Sequence, residues 1–440
     1  MSMRWKVAVR VKAMANVDLL LNSAFLVMSS AGSAAIGFFF WWLAARFYSV
    51  EELGLTSAAI SSMSLLGTIG DLGLGSFVMA ATHRTVRSAT LISTCLFAAA
   101  GSSAFFGIIS LYFIDRLSPE LAILLDGRVR GAVFVVGVSA CGVALVLDHA
   151  LAGLMCSSIQ LTRNLTASIV KCVLLGGAIV FGVGGSFTIV LASVFGVTIS
   201  ILFGLVMCSR KKNAVFSMPD FYCLKGFGGA ILGHHSLNVA TQAVGLLLPL
   251  IVTSLVSARA NGAFFTAWMI VQVFCLGPAA LTTMLYPIAT KEASRLPTMM
   301  RLTLFLSLCI GVMGEVLLIG LGQILLSLFS HELAIEGYAL LLVLGMGIFP
   351  AALRYHFVAL RRIQGRAGDA SLILGVAALF DIGCAVMGAY LGDALGLSLG
   401  WLLSLIVQAV IIWPILHRAI RIDGVPPTNE VGSENLNSCP

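Results

Sequence analysis

The residues able to do chemistry in this chain sit where few polar groups belong. Four carboxylates, Asp71, Asp148, Glu315 and Asp381, and two cations, Lys171 and Arg354, lie inside long apolar runs. A charge at mid-bilayer costs at least about 2.5 to 3.5 kcal/mol on insertion scales, so each one requires a partner or a wet cavity. Ser57, Ser61, Ser64, Thr68 and Asp71 follow at steps of four, three, four and three residues, which puts all five on one helical face. A second stripe runs through HHSLNVATQ, where His234, Asn238 and Gln242 recur every four residues with His235 beside them. Such hydroxyl, amide and imidazole groups can replace the hydrogen bonds a polar solute loses on leaving water. The hydroxyls can instead bond the carbonyl one turn back and serve helix packing, which leaves Asp71 unexplained. Arg354, seven residues before Arg361, can likewise snorkel to an interface.

The elements that carry these residues must cross lipid. Of 440 residues 59% are hydrophobic and 10% charged, and the mean hydropathy is +1.03, outside the range of soluble domains. Twelve apolar segments reach bilayer length, at about 19–45, 53–80, 88–114, 131–154, 159–182, 185–208, 228–254, 260–286, 300–328, 335–360, 369–391 and 395–416. The first is too long for the core of a signal peptide and reads as a retained span. With the N-terminus inside, nineteen of the 26 Lys and Arg residues fall in inner segments and five in outer ones. That bias predicts both termini on the cytoplasmic side of the plasma membrane, and it accounts for the net charge of +7 without nucleic acid.

The fold class expected is all-α, a polytopic membrane protein of twelve transmembrane helices in two six-helix, pseudo-symmetric lobes. The lobes are 1–208 and 228–421, joined by a cytoplasmic linker at 209–227 and followed by a disordered polar tail at 422–440. A faint repeat supports the division: a serine precedes a glycine by five residues in both Ser49–Gly54 and Ser257–Gly262. Shifting by that offset sets Asp148 near Arg354 and Lys171 near Asp381, which predicts opposite charges at similar depth and a pairing between them. Pro249, Pro278, Pro350 and Pro414 all fall in second-half spans, so bending is expected there.

Several function classes lack their signature. The sequence has no HExxH, phosphate-binding P-loop or Gly-x-Ser-x-Gly elbow, and its ten cysteines form no CxxC pair. GDLGLGS, Gly70 to Ser76, has no preceding strand and lies in a span, so it is no dinucleotide loop. Neither a catalytic residue, a metal site nor a cofactor is expected, and any driving energy must come from a gradient or a partner.

Four stretches carry a family likeness: Phe38 to Ser76, Gly262 to Arg295, FPAALRYHFVALRRIQGR (Phe349 to Arg366) and LGLSLGWLLS (Leu395 to Ser404). With the six-plus-six division, the chain resembles the oligosaccharide and O-antigen flippases of the multidrug/oligosaccharidyl-lipid/polysaccharide exporter superfamily. The resemblance implies two lobes around a central cavity and a polyprenyl-pyrophosphate-linked glycan turned to the outer leaflet by alternating access. It also implies glycosyltransferases or a glycan polymerase as pathway partners, with membrane lipids around the chain. Ser57, Ser61, Ser64, Thr68, His234, His235, Asn238 and Gln242 would then line the sugar path, with Lys171 and Arg354 meeting the pyrophosphate. Asp71, Asp148, Glu315 and Asp381 would serve ion coupling or charge pairing; four carboxylates against two cations depart from a cationic cavity and leave room for a proton or sodium. The alternatives are a cation-coupled multidrug exporter of the same superfamily, against which this chain has no carboxylate midway along its first span, and a membrane glycan polymerase or ligase, against which it has no large outer loop.

Overall fold

The computed structural model describes Phe25, Met28, Ser29 and residues 31–82, 88–210, 217–226, 229–291 and 293–421, and within these the side chains of 226, 229–234, 287, 290, 291, 293 and 367 lie outside the description. The described residues form helices throughout. In chain order they are α1 (Ala31–Phe47), α2 (Val50–Gly70), α3 (Leu74–Ala81), α4 (Ser88–Leu117), α5 (Pro119–Leu125), α6 (Arg128–Gly153), α7 (Ser157–Val180) and α8 (Ser186–Arg210). There follow α9 (Gly229–Leu255), α10 (Ala258–Thr283), α11 (Leu285–Lys291), α12 (Leu296–Ser327), α13 (His331–Met346), α14 (Ile348–Ile363) and α15 (Ala367–Arg421).

Among the described residues nine helices are long and apolar enough to cross a bilayer, and α13 with α14, bent by 40°, makes a tenth. The 55-residue α15 is two runs joined at Gly392 and Asp393, where φ/ψ leave the helical region. Together with the shorter apolar α1, this is the expected all-helical, multi-pass architecture.

The described residues gather into two compact units. One comprises residues up to His235 with Gly245–Gly262, the other Ser236–Val244 with the residues from Ala263 onward. In the first unit one core is built on Ile92, Cys95, Leu147 and Leu151 and another on Met63, Phe134, Val138 and Val190. In the second, Met300, Phe357, Leu360 and Leu416 form one core, while Leu237 packs with Ala370 and Leu374 in another. Outward faces remain apolar, as at Tyr112, Val180, Leu379 and Val410. In lipid such faces give no drive to associate, so close approach and satisfied polar groups hold the helices together. Small residues supply that approach: a methyl added at Gly67 would lie 2.7 Å from Cys141 Cβ.

The bends follow the proline-based expectation only in part: the α13–α14 bend falls just before Pro350, in the second half as expected, but the other breaks hold no proline. The second span breaks at Asp71–Gly73, where Leu72 and Gly73 take φ of 50° and 83° with no proline present. The α13–α14 bend falls at Gly347, and the α15 break at Gly392–Asp393. Pro249, Pro278 and Pro414 sit within continuous helices. A carbonyl freed by proline can be satisfied by neighbours and the helix continues. Gly73, by contrast, adopts a left-handed conformation that costs a side-chain-bearing residue about 1 to 2 kcal/mol.

The faint repeat has a structural meaning. Ser49 caps α2 in a reciprocal box with Glu52, and the Ser257 hydroxyl accepts from the Ala260 N–H at the start of α10. The glycines five residues on are a crossing point: a methyl on Gly54 would fall 1.7 Å from the Ala258 carbonyl oxygen, and one on Gly262 would fall 2.1 Å from that of Val50. Asn261 donates across this crossing to the Gly54 carbonyl at 2.7 Å and to Ser57 Oγ at 3.1 Å.

The described part of the linker is anchored. The Ser217 N–H donates to Ser93 Oγ at 2.9 Å, the Asp220 N–H donates to Thr94 Oγ1 at 2.8 Å, and Phe221–Gly226 forms a short 3-10 turn. The expected polar tail at 422–440 and both chain ends lie outside the described residues.

Candidate functional site

The break in the second span is built around Asp71. Its Oδ2 accepts the Gly73 N–H at 3.2 Å and its Oδ1 the Gly75 N–H at 2.8 Å, so the carboxylate sits at the N-terminal end of α3, where exposed N–H groups favour negative charge. His235, in the first turns of α9, brings Nδ1 to 3.4 Å from Asp71 Oδ2. Both side chains are buried, Asp71 at 7% and His235 at 8% exposure. The His149 ring from α6 closes the group: a methyl on Gly75 would lie 2.8 Å from its Nδ1 and 3.0 Å from Asp71 Oδ1. His149 Nδ1 itself lies 2.8 Å from the Leu145 carbonyl oxygen. One carboxylate, an imidazole in contact with it and a second imidazole nearby form the cluster.

The serine stripe above Asp71 is not an open lining in this structure. Ser57, Ser61 and Thr68 are buried and Ser64 is half-buried. Their hydroxyls are largely taken by their own helix: Ser57 donates to Gly54, Ser64 to Ile60 and Thr68 to Ser64, at 2.8 to 3.0 Å. In this structure the stripe packs α2 against its neighbours in the first unit.

The charges pair within each unit and not in the expected combinations. Asp148 Oδ1 lies 2.7 Å from the Arg163 guanidinium, an α6–α7 bridge extended by Arg163 donating to Asn164 and Asn164 to Ser29. Arg354 pairs with Asp381 at 2.9 Å, an α14–α15 bridge. The other Asp381 oxygen accepts from Ser404 and from Gln408 Nε2, both on the second run of α15. The bridges thus join the fourth to the fifth span and the tenth to the eleventh, with the acidic and basic partners exchanged. In place of the expected Asp148–Arg354 and Lys171–Asp381 pairings, Asp148 and Arg354 each pair with a charge on the next helix of their own unit, while Lys171 does not.

The remaining expected residues are dispersed. Asn238 accepts from Arg362 at 3.2 Å, Gln242 is exposed, and the His234 side chain lies outside the described residues. Lys171 holds its ammonium 4.9 Å above the Phe40 ring, with no carboxylate beside it among the described residues. Glu315, half-buried on α12, tucks against Gly345 of α13, and its Oε2 is buried without a hydrogen-bond partner. Sequence reasoning missed Arg163, Asn261, Ser404 and Gln408. The last two had a signal, a Ser and a Gln four residues apart in an apolar run. Arg163 was hidden because it reads as a loop cation. Among the described residues no three His, Cys, Asp or Glu side chains converge as metal ligands.

No known family profile matches the sequence, and no curated protein does. Solved structures do. An inward-facing multidrug resistance MATE family transporter of the MOP superfamily aligns at a TM-score of 0.69 and 14% identity over 90% of this chain and 94% of its own. DinF-BH, described as a MATE multidrug transporter, aligns at 0.67 and 14% over 92% and 96%. A mutant form of the Vibrio cholerae MATE transporter VcmN aligns at 0.64 and 13%, again over 92% and 96%. The chain has the fold of the MATE transporters along nearly its whole length.

Proposed function

We propose that the chain is a secondary transporter exporting amphipathic organic molecules from the cytoplasm across the plasma membrane by alternating access, with cation binding at the Asp71–His235 cluster as the driving event. The observation that carries this reading is the buried carboxylate at a break in a span, held by α3 amides and by an imidazole 3.4 Å away, in a chain of MATE fold. An intramembrane carboxylate of this kind is a functional group by default. The cluster is placed to act on the chain's path, since His235 immediately precedes Ser236–Val244, which packs with the second unit. A proton taken up by Asp71 removes the negative charge that the α3 amides and His235 share, freeing α9 from the break; release of the proton restores the grip. Transport neighbours described as multidrug transporters favour exported drugs over glycans as the substrate class.

The test is dye efflux from proteoliposomes under an imposed proton or sodium gradient. Gradient-dependent efflux by the unmodified protein that is lost in Asp71→Asn supports the reading; equal efflux with and without either gradient refutes it. A second reading, the lipid-linked oligosaccharide flippase with glycosyltransferases or a polymerase as partners, is favoured by one observation. Lys171 is a cation in a span with no carboxylate beside it, suited to a phosphate. Accumulation of a lipid-linked glycan in a deletion strain, without drug hypersensitivity, selects that reading instead.

A further inference from the structure

At the start of α6, where the chain emerges from the α4–α5 corner, an apolar groove of about 450 Å³ runs between α6 and α8. Its walls are Ala132 and Val136 on one side and Val194, Phe195 and Thr198 on the other, with Arg128 at its mouth. Val136 and Phe195 are each about half exposed, so the groove opens outward from the first unit rather than into its core. Thr198 adds no free donor, because its hydroxyl is given to the Val194 carbonyl at 2.8 Å. The exposed Arg128 is thus the one charged group on an otherwise apolar channel, and no ion pair or hydrogen bond engages it among the described residues. Asp115 and Asp126 line the neighbouring recess on the other side of Arg128, and neither pairs with it among the described residues.

The local electrostatics are reversed from what a helix start prefers. The first turn of α6 holds Arg128 and Arg130 and no acidic residue, its N-cap is Gly127, and no side chain caps its N–H groups. Cations there oppose the positive end of the helix dipole, whereas an anion would be stabilised by both. Arg130 is occupied, its guanidinium lying 5.4 Å from the Phe187 ring, which leaves Arg128 to the groove. By the charge bias of the sequence this end of α6 is the outer one, where only five basic residues stand in all, and Arg116, Arg128 and Arg130 are three of them.

We propose that this groove binds an anionic glycerophospholipid of the bilayer, an acyl chain lying between α6 and α8 and the phosphate on the Arg128 guanidinium. An apolar groove beneath one unpaired cation is complementary to a molecule with one anionic head and an apolar tail, and to no polar solute. The site is independent of Asp71, and its test does not measure transport.

The experiment titrates dioleoyl phosphatidylglycerol or dioleoyl phosphatidylcholine onto the detergent-purified full chain and reads lipid retention by native mass spectrometry and the shift in Tm. Basic residues elsewhere also attract phosphatidylglycerol, so the readout is the difference between proteins. Arg128→Gln should weaken retention of the last-released phosphatidylglycerol roughly fivefold, about 1 kcal/mol, and leave phosphatidylcholine unchanged; Arg418→Gln, at the other end of the spans, should not do this. Val136→Trp should block the groove and lower retention with Arg128 intact. Undiminished phosphatidylglycerol preference in Arg128→Gln overturns the proposal, whether or not Val136→Trp yields monodisperse protein. So does an apolar occupant of another kind, shown by dimers that Val136→Trp dissociates.

Discussion

Asp381 shows what a membrane interior demands of a charge. It is fully buried, and both its oxygens are engaged, Oδ2 by Arg354 and Oδ1 by Ser404 and Gln408. A buried pair adds little to stability as a pair, but removing one member leaves the other uncompensated, at about 3 to 5 kcal/mol. Arg354→Ala and Asp381→Ala should therefore each sharply lower the Tm of the detergent-purified protein, while the double variant should recover much of the loss; additive losses would show that the two charges do not interact. The same logic separates the observed pairs from the expected ones. Exchanging Asp148 with Arg163 should restore protein level in the membrane after either single reversal destroys it, whereas exchanging Asp148 with Arg354 should not. Which residues carry charge inside lipid was legible in the sequence, because Asp, Glu, Lys and Arg stand out in apolar runs. Whom they pair with was not. Pairing depends on helix rotation and on depth, which is how Arg163, near the start of α7, becomes a partner 3% exposed.

At the scale of elements, the chain relies on close backbone approach where a soluble protein would use apolar burial. The α2–α10 crossing is the clearest case, since methyl groups on Gly54 or Gly262 would run into backbone oxygens that cannot move aside. Gly54→Leu should abolish recovery of monodisperse protein, while Gly101→Ala, with nothing within 4 Å of the added methyl, should leave it unchanged; normal behaviour of Gly54→Leu would mean that the two helices are not in contact. The all-helical, multi-pass character was readable because twenty apolar residues in a row have few other fates. The break at Asp71–Gly73 was not, because the apolar run continues through it and hydropathy does not register φ. The surroundings of the serine stripe were not legible for a related reason: periodicity shows that hydroxyls share a face, but only packing shows whether that face meets solvent or another helix. The structure buries Ser57 and Thr68 and spends their donors locally.

For the whole molecule, the likeness to MATE transporters is one of fold, at 14% identity, and the coupling site is argued from the residues this chain holds. Those residues centre on Asp71 and His235, the latter one residue before the stretch of α9 that belongs to the second unit. If this cluster drives export, occupancy by a transported molecule and occupancy by a proton must be linked, and each must change the other's affinity by the same factor. The most direct measurement follows pH in a weakly buffered solution of the purified protein as a transported dye is added. Proton release on dye binding that disappears in Asp71→Asn and is reduced in His235→Gln is the predicted result. Dye binding of normal affinity with no proton exchanged, or exchange that survives Asp71→Asn, would contradict it.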